Sequence, residues 1–210
     1  MNKLKVLENV NVQKLWDRIS DILFPKECVG CGREGTWLCD FCSSTIYIND
    51  KFSCPNCRRE TIFGSACRQC LNDGFSLDSL IFVARYGDRY LQKLIHNFKY
   101  RNCESVAHDL VKILQRFFLK YQNVIPQADL ITSVPLHQER FEDRGFNQSA
   151  LLGRKISEIS QVQFKENLIK RTKNNRPQIE LNDEERAANV LNIFAASDRE
   201  ALFGKSILLV

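Results

Sequence analysis

Eight of the nine cysteines crowd between residues 28 and 70 as four C-x-x-C pairs, CVGC, CDFC, CPNC and CRQC. Their spacing runs C-x2-C-x7-C-x2-C, then eleven residues, then C-x2-C-x9-C-x2-C. A two-residue gap is metal-knuckle spacing, and each linker is just long enough for a tight hairpin that returns a second pair to complete a four-thiolate site. Soft thiolates in tetrahedral array select zinc over magnesium or calcium, and four protein ligands leave no open position for catalysis. The spacing predicts two structural zinc sites, Cys28, Cys31, Cys39 and Cys42 in one, Cys54, Cys57, Cys67 and Cys70 in the other. This sequential ligation closes shorter loops than a crossed arrangement. The alternatives are a single zinc with the other four cysteines unligated, and an iron–sulfur cluster. Cys103 stands apart and reads as an unligated core thiol.

Metal changes the charge balance. The formal net charge is +5 with cysteine neutral; eight thiolates and two divalent ions lower it to +1, so overall basicity is not a property of the metallated chain. Apolar residues are 44% and charged residues 26%, the composition of a soluble globular protein. Glu8, Asn9, Asp17 and Arg18 interrupt any apolar run near the start, so neither a secretory segment nor membrane insertion is expected. The cytoplasm is the expected compartment, where thiols stay reduced.

Three stretches follow one another. Residues 1–24 hold an amphipathic helix, with Leu15, Trp16, Ile19, Ile22 and Leu23 on one face. Residues 25–73 are short of aliphatic side chains and must lean on metal. From 74 to 210 the pattern alternates strands and helices, predicting an α/β unit with a parallel sheet. LDSLIFVARY (77–86) reads as a strand. Two helical faces follow, on Tyr90, Leu91, Leu94, Ile95 and Phe98 and on Val106, Leu110, Ile113, Leu114 and Phe117. ADLITSVP is a short strand closed by Pro135, residues 147–160 form a third helix, and Asn182 with Glu185 signals a capping box for a fourth. KSILLV reads as a strand buried on both faces of a parallel sheet.

The segment ITSVPLHQERFEDRGFNQ (131–148) carries the chemistry. A strand ending in Ser-Val-Pro leads into a loop holding His137, Arg140 and Arg144, then Gly145, and Asn147 and Gln148 at a helix start. In parallel α/β sheets ligands sit beyond the carboxyl ends of strands, and arginine forks with helix N-terminal N–H groups suit phosphate. The loop is thus a candidate anion site, the plainer reading being a solvated basic loop.

On these motifs the chain resembles the ComF family. The resemblance rests on FPKECVGCG with the later C-x-x-C pairs, on ARYGDRYLQKLIHNFKYR, on RGFNQ, on the downstream R-T-x5-Q-x2-L-x4-R-x2-N pattern, and on KSILLV. It implies a type I phosphoribosyltransferase-like domain behind an N-terminal double zinc ribbon, and a role in handling single-stranded DNA during natural transformation. Family members follow the LLV strand with a two-acid T-T-G loop that grips the ribose and 5-phosphate of phosphoribosyl pyrophosphate. The chain reads as ending at that strand, 206–210, before this loop, so turnover with magnesium and phosphoribosyl pyrophosphate is expected only of a longer form. Gly204-Lys205-Ser206 is no phosphate loop, because Arg199 stands where the motif needs glycine.

Three functions remain open at this level. One is single-strand binding: residues 85–101 carry net +4 with Tyr86, Tyr90, Phe98 and Tyr100 interleaved, and 165–176 also carry net +4. Lys99, Arg101, Arg140 and Arg144 are the expected phosphate contacts. The second is phosphoribosyl transfer, with pyrophosphate held near Leu136 and His137. The third is a zinc-ribbon adaptor docking on a DNA-uptake helicase or pore protein. His96 and His108 fall on predicted helices and read as packed or exposed rather than functional.

Overall fold

The two cysteine cassettes fold alike, from the same backbone logic. This computed structural model describes residues 25–100, 104–122, 128–173 and 181–210. The helix expected at 15–24, together with Arg101, Cys103 and Arg176, lies outside the described residues. In the first cassette Glu27 bridges Glu34, the Cys28 N–H donates to the Arg33 carbonyl at 2.8 Å, and Gly32 turns the knuckle at φ 74°. In the second, Ser53 bridges Glu60, the Cys54 N–H donates to the Arg59 carbonyl at 2.8 Å, and Arg58 takes the same turn at φ 65°. Glycine adopts that left-handed conformation freely, whereas arginine does so at a cost of roughly 1–2 kcal/mol. Each second pair opens a short helix: α1 (Asp40–Thr45) after Cys39 and α2 (Arg68–Asn72) after Cys67.

The stretch 77–86 is not a regular strand. It is a strap across the cassettes, its carbonyls and amides bonded to them one at a time: Ala66 N–H to Asp78 C=O at 2.7 Å, Leu80 N–H to Gly64 C=O at 3.0 Å, Asn49 N–H to Val83 C=O at 2.9 Å. Its alternation fits an extended backbone, but no neighbouring strand runs alongside it among the described residues to complete a ladder.

Helices α3 (Arg89–Tyr100) and α4 (Val106–Lys120) appear where the apolar faces predict them. Leu91, Leu94, Phe98, Val106, Leu110, Ile113 and Phe117 bury against Cys28, Leu38, Cys39, Cys42, Ile46 and Ile48, so the first cassette and the helical layer share one core. The second cassette keeps a small cluster of its own, Cys54, Ala66 and Cys70.

Strand β1 (Leu130–Thr132) is followed by α5 (Gln138–Arg144), α6 (Gln148–Ser160), β2 (Ile169–Arg171), α7 (Asp183–Asn189), β3 (Phe194–Ala196), α8 (Arg199–Leu202) and β4 (Ile207–Leu209). β1 and β4 pair in parallel, Ile131 opposite Leu208. β2 and β3 pair antiparallel, Arg171 opposite Phe194. α6 packs on β1 and α4, and Ile131 with Ile156 centres a second core. The parallel pairing of β4 agrees with the sequence, but its burial does not: Ile207 is 36% and Leu209 50% exposed, because β4 has a strand on one side alone among the described residues. The capping box forms at α7, the Asn182 side chain accepting from Glu185 N–H and the Glu185 carboxylate accepting from Asn182 N–H, both at 2.9 Å. Mixed helix and strand with a small parallel sheet and two four-cysteine clusters is the architecture. Among the described residues no helix is long and apolar enough to cross a membrane.

Candidate metal centres and a cation-lined cavity

The eight thiols fall into the two sequential sets, Cys28, Cys31, Cys39, Cys42 and Cys54, Cys57, Cys67, Cys70, with the sulfurs of each set within 4.8 Å of one another. Two cross-knuckle distances, Cys31 to Cys39 at 3.7 Å and Cys57 to Cys67 at 3.6 Å, match the roughly 3.8 Å edge of a tetrahedral site with metal–sulfur bonds of about 2.3 Å. Backbone N–H groups aim at the sulfurs identically in both: Cys39 N–H to Cys28 Sγ and Cys67 N–H to Cys54 Sγ, each 3.4 Å.

The electrostatics of the thiols fit the same use. Burial pushes the Cys28 thiol up, but the N–H groups of Cys39, Cys31 and Gly30 outweigh it and lower it to about 6. The Cys67 N–H, with those of Cys57 and Asn56, brings Cys54 to about 6. In the opposite direction, burial and the neighbouring thiols raise Cys42 to about 12, while Cys67 first and burial second raise Cys70 to about 12. Like charges this close cannot all ionise unless a cation joins them, and a divalent ion would remove that repulsion. Both donor sets therefore fit a metal ion.

The second feature lies beyond the carboxyl end of β1. Here the segment expected to be a loop forms α5, because His137 caps it, its Nδ1 accepting the Glu139 N–H at 3.4 Å, and Gly145 ends it at φ 71°. A cavity of about 380 Å³ opens beside it, lined by Ser133, Leu136, Phe141, Asn147, Glu166, Asn167, Lys170 and Arg171. Arg140 on α5 acts on it through charge: the Arg171 guanidinium is held below its ordinary value by burial and then by the positive charge of Arg140.

The residues singled out from sequence divide between two places. Leu136 and Asn147 line the cavity, and Arg140 acts there through its charge on Arg171. Lys99 and Arg144 form a separate pair, the Lys99 ammonium being lowered by partial burial and then by Arg144. Arg144 donates to Gln148 Oε1 at 3.2 Å, and Gln148, itself buried, donates to the Phe98 carbonyl at 3.3 Å. Asn147 caps α6: its Oδ1 accepts the N–H of Ser149 at 3.0 Å and of Ala150 at 3.4 Å, and its Nδ2 donates to the Val134 carbonyl at 3.1 Å. The helix N–H groups expected to meet phosphate thus have an internal acceptor. Phe98 is 2% exposed and packs on Phe146, so it cannot stack on a base. The sequence marks Lys170 and Arg171 as part of a basic stretch but not as cavity lining, because the fold that brings β2 to the end of β1 leaves no local signal.

Two four-cysteine clusters able to hold metal ions, joined to an α/β unit with a cavity at the end of its parallel strands, define a class of metal-knuckle α/β protein. Known proteins narrow it. The chain is 32% identical over 164 residues to the DNA utilization protein YhgH of Escherichia coli K12, covering 76% of this chain and 71% of that one. It is 25% identical over 175 residues to Competence protein F of Haemophilus influenzae, covering 75% of each. With Competence protein ComFC of Bacillus subtilis it shares 28% identity over 122 residues, 55% of this chain and 49% of that one. No family model and no solved structure matches. The chain belongs to the ComF family.

Proposed function

We propose that this chain handles single-stranded DNA in the cytoplasm during DNA uptake, its two cysteine clusters each holding a structural zinc. The observation that carries the reading is the cavity beyond β1, where Lys170 and Arg171 line the wall and Arg140 stands close enough to depress the Arg171 guanidinium. A cavity wall bearing Lys170 and Arg171 suits a partner with repeated negative charge, and a phosphate backbone is such a partner. The names of the relatives, DNA utilization and competence, support the same direction. Four thiolates per cluster favour zinc among divalent ions, in a closed and therefore structural site.

A second reading has one observation behind it. A cavity past the carboxyl end of a parallel strand is where open α/β sheets hold ligands, so a phosphoribosyltransferase-like unit taking phosphoribosyl pyrophosphate with magnesium would use the same place.

The experiment is a salt titration of binding to a labelled oligothymidylate. Removing one cation that meets a phosphate should flatten the slope of log K against log salt by about 0.7 for a single strand. Arg140→Gln should weaken binding and flatten the slope together, whereas Arg199→Ala, on α8, should do neither. Circular dichroism and metal content must match the parent. A parent that fails to bind, or a folded Arg140→Gln that binds as the parent does at every salt concentration, defeats the single-strand reading.

A further inference from the structure

The β2–β3 ribbon presents an aromatic–cation surface that sequence periodicity could not show. Arg171 and Phe194 are directly opposed across the two strands, and the guanidinium lies over the ring at 5.9 Å from its centroid. Phe194 is nonetheless 42% exposed, and all three residues of β3 are exposed. Arg171 also lines the 380 Å³ cavity, whose lining includes Phe141 of α5, 48% exposed and next in sequence to Arg140. Phe194 under Arg171, and Arg171 with Lys170 and Phe141 in one cavity lining, thus set two open rings and two cations at the same cavity.

A single exposed ring is ordinary on a protein surface, but rings set with cations around one cavity mark a place for a partner. The charges beside these two restrict what the partner is. An apolar protein face would have to desolvate Arg140 and Arg171, whereas a single strand offers phosphates to the cations and unpaired bases to the rings. Every base has a π-face, so stacking of this kind tolerates any sequence. A duplex keeps its bases stacked on one another and can satisfy the cations alone.

We infer that the β2–β3 ribbon and α5 form a base-stacking platform for single-stranded DNA, with Phe194 and Phe141 as the stacking rings and Arg140 and Arg171 as the phosphate contacts. This rests on the single-strand reading above and adds the residues that meet the bases. The roles separate by salt: a ring contributes affinity without releasing counterions, while an arginine contributes both affinity and slope.

The test uses the full chain with both metals, titrated with an oligothymidylate, with a strand of the same length made of abasic residues, and with duplex DNA. Phe194→Leu keeps an apolar side chain but no ring, and Phe194→Ala removes both; Phe141→Leu repeats the comparison on α5. The expected result is a loss of about tenfold or more for the oligothymidylate with each leucine variant, at an unchanged salt slope. On the abasic strand and the duplex, parent and variants should bind alike. If the parent binds the oligothymidylate and the leucine variants match it, the platform is overturned while single-strand binding stands. Equal losses on abasic and thymidylate strands also overturn it, because the rings would then act by holding the arginines. A parent that binds no single strand overturns both.

Discussion

The carboxylate of Asp109 on α4 accepts the backbone N–H of Trp37 at 3.0 Å, two residues ahead of the cluster thiol Cys39. It also takes the Leu38 N–H at 3.2 Å and the Thr36 hydroxyl at 3.3 Å, and Lys112 Nζ lies 3.1 Å away. At 3% exposure the carboxylate is out of reach of bulk water. Without the carboxylate the Trp37 N–H would lose this charged acceptor, while the Thr36 hydroxyl would fall back on the Leu38 carbonyl at 3.1 Å and the Leu38 N–H on the Thr36 hydroxyl at 3.3 Å, both weaker contacts. The first cassette is thereby latched to the helical layer by hydrogen bonds as well as by the shared core.

Removing the latch should be expensive. Asp109→Ala is expected to cost about 2 kcal/mol, since a buried charged acceptor of the Trp37 and Leu38 N–H groups disappears. Asp109→Asn keeps one oxygen acceptor and should cost less. Urea unfolding measures both, and chelator-driven metal release should quicken in the alanine variant. Equal midpoints for parent and Asp109→Ala would mean that the shared core alone holds the cassette.

The two cysteine clusters should differ in what depends on the metal each would hold. Cys31 and Cys57 are the exposed members of their clusters, so serine at either position opens no cavity and each tests its own metal. Cys31→Ser should disturb the packing of α3 and α4, because Cys28, Cys39 and Cys42 belong to the core those helices bury. Cys57→Ser should loosen the small second cluster first and reach the main core only through the edge contacts of Phe63 with Phe52 and Tyr121, so the main transition should shift less. Circular dichroism through a urea series separates them. Identical loss in both variants would contradict the division of cores.

What the sequence revealed and concealed follows from range. The cysteine clusters were legible because a knuckle is a local object, written in four-residue units. The faces of α3, α4 and α6 were legible because each helix buries a stripe, whereas the seven residues of α5 bury none and so left no period to read. Residues 77–86 have the alternation of a strand, but a ladder needs a partner, and partners are non-local. The same reason hid the ribbon of β2 and β3, three residues each, and with it the approach of Arg171 to Arg140. KSILLV disclosed its extended backbone and parallel pairing, but an apolar run does not say how many neighbours cover it.

Metal binding should release protons and strengthen with pH. In the metal-free protein Cys42 and Cys70 are pushed up to about 12, so both are protonated at neutral pH and must shed a proton to become ligands. Each site should therefore release at least one proton at pH 7, and affinity should rise with pH there. Cys28 and Cys54, lowered to about 6, are mainly ionised at pH 7 and protonate as the pH falls through that value. The dependence of log affinity on pH should consequently steepen below about pH 6. Zinc titration in weak buffer with a pH indicator counts the protons; release of none would show that the thiols are not the ligands.

At the end of β1 a buried hydroxyl has no bonding partner among the described residues. Thr132 is 0% exposed, and its Oγ1 has no hydrogen-bond partner among the described residues. Its backbone is well used, since the carbonyl accepts the Val210 N–H at 3.0 Å and joins β1 to β4. A buried hydroxyl without a partner carries its desolvation cost uncompensated, whereas valine has the same branched shape and no polar atom. Thr132→Val should thus stabilise the protein by about 1 kcal/mol, seen as a higher urea midpoint with an unchanged slope. Thr132→Ser is the opposing control: it keeps the hydroxyl, gives up the methyl group and should destabilise. If valine destabilises instead, the hydroxyl has a partner in solution, and ordered water or a bound ligand at the end of β1 becomes part of what holds the strand.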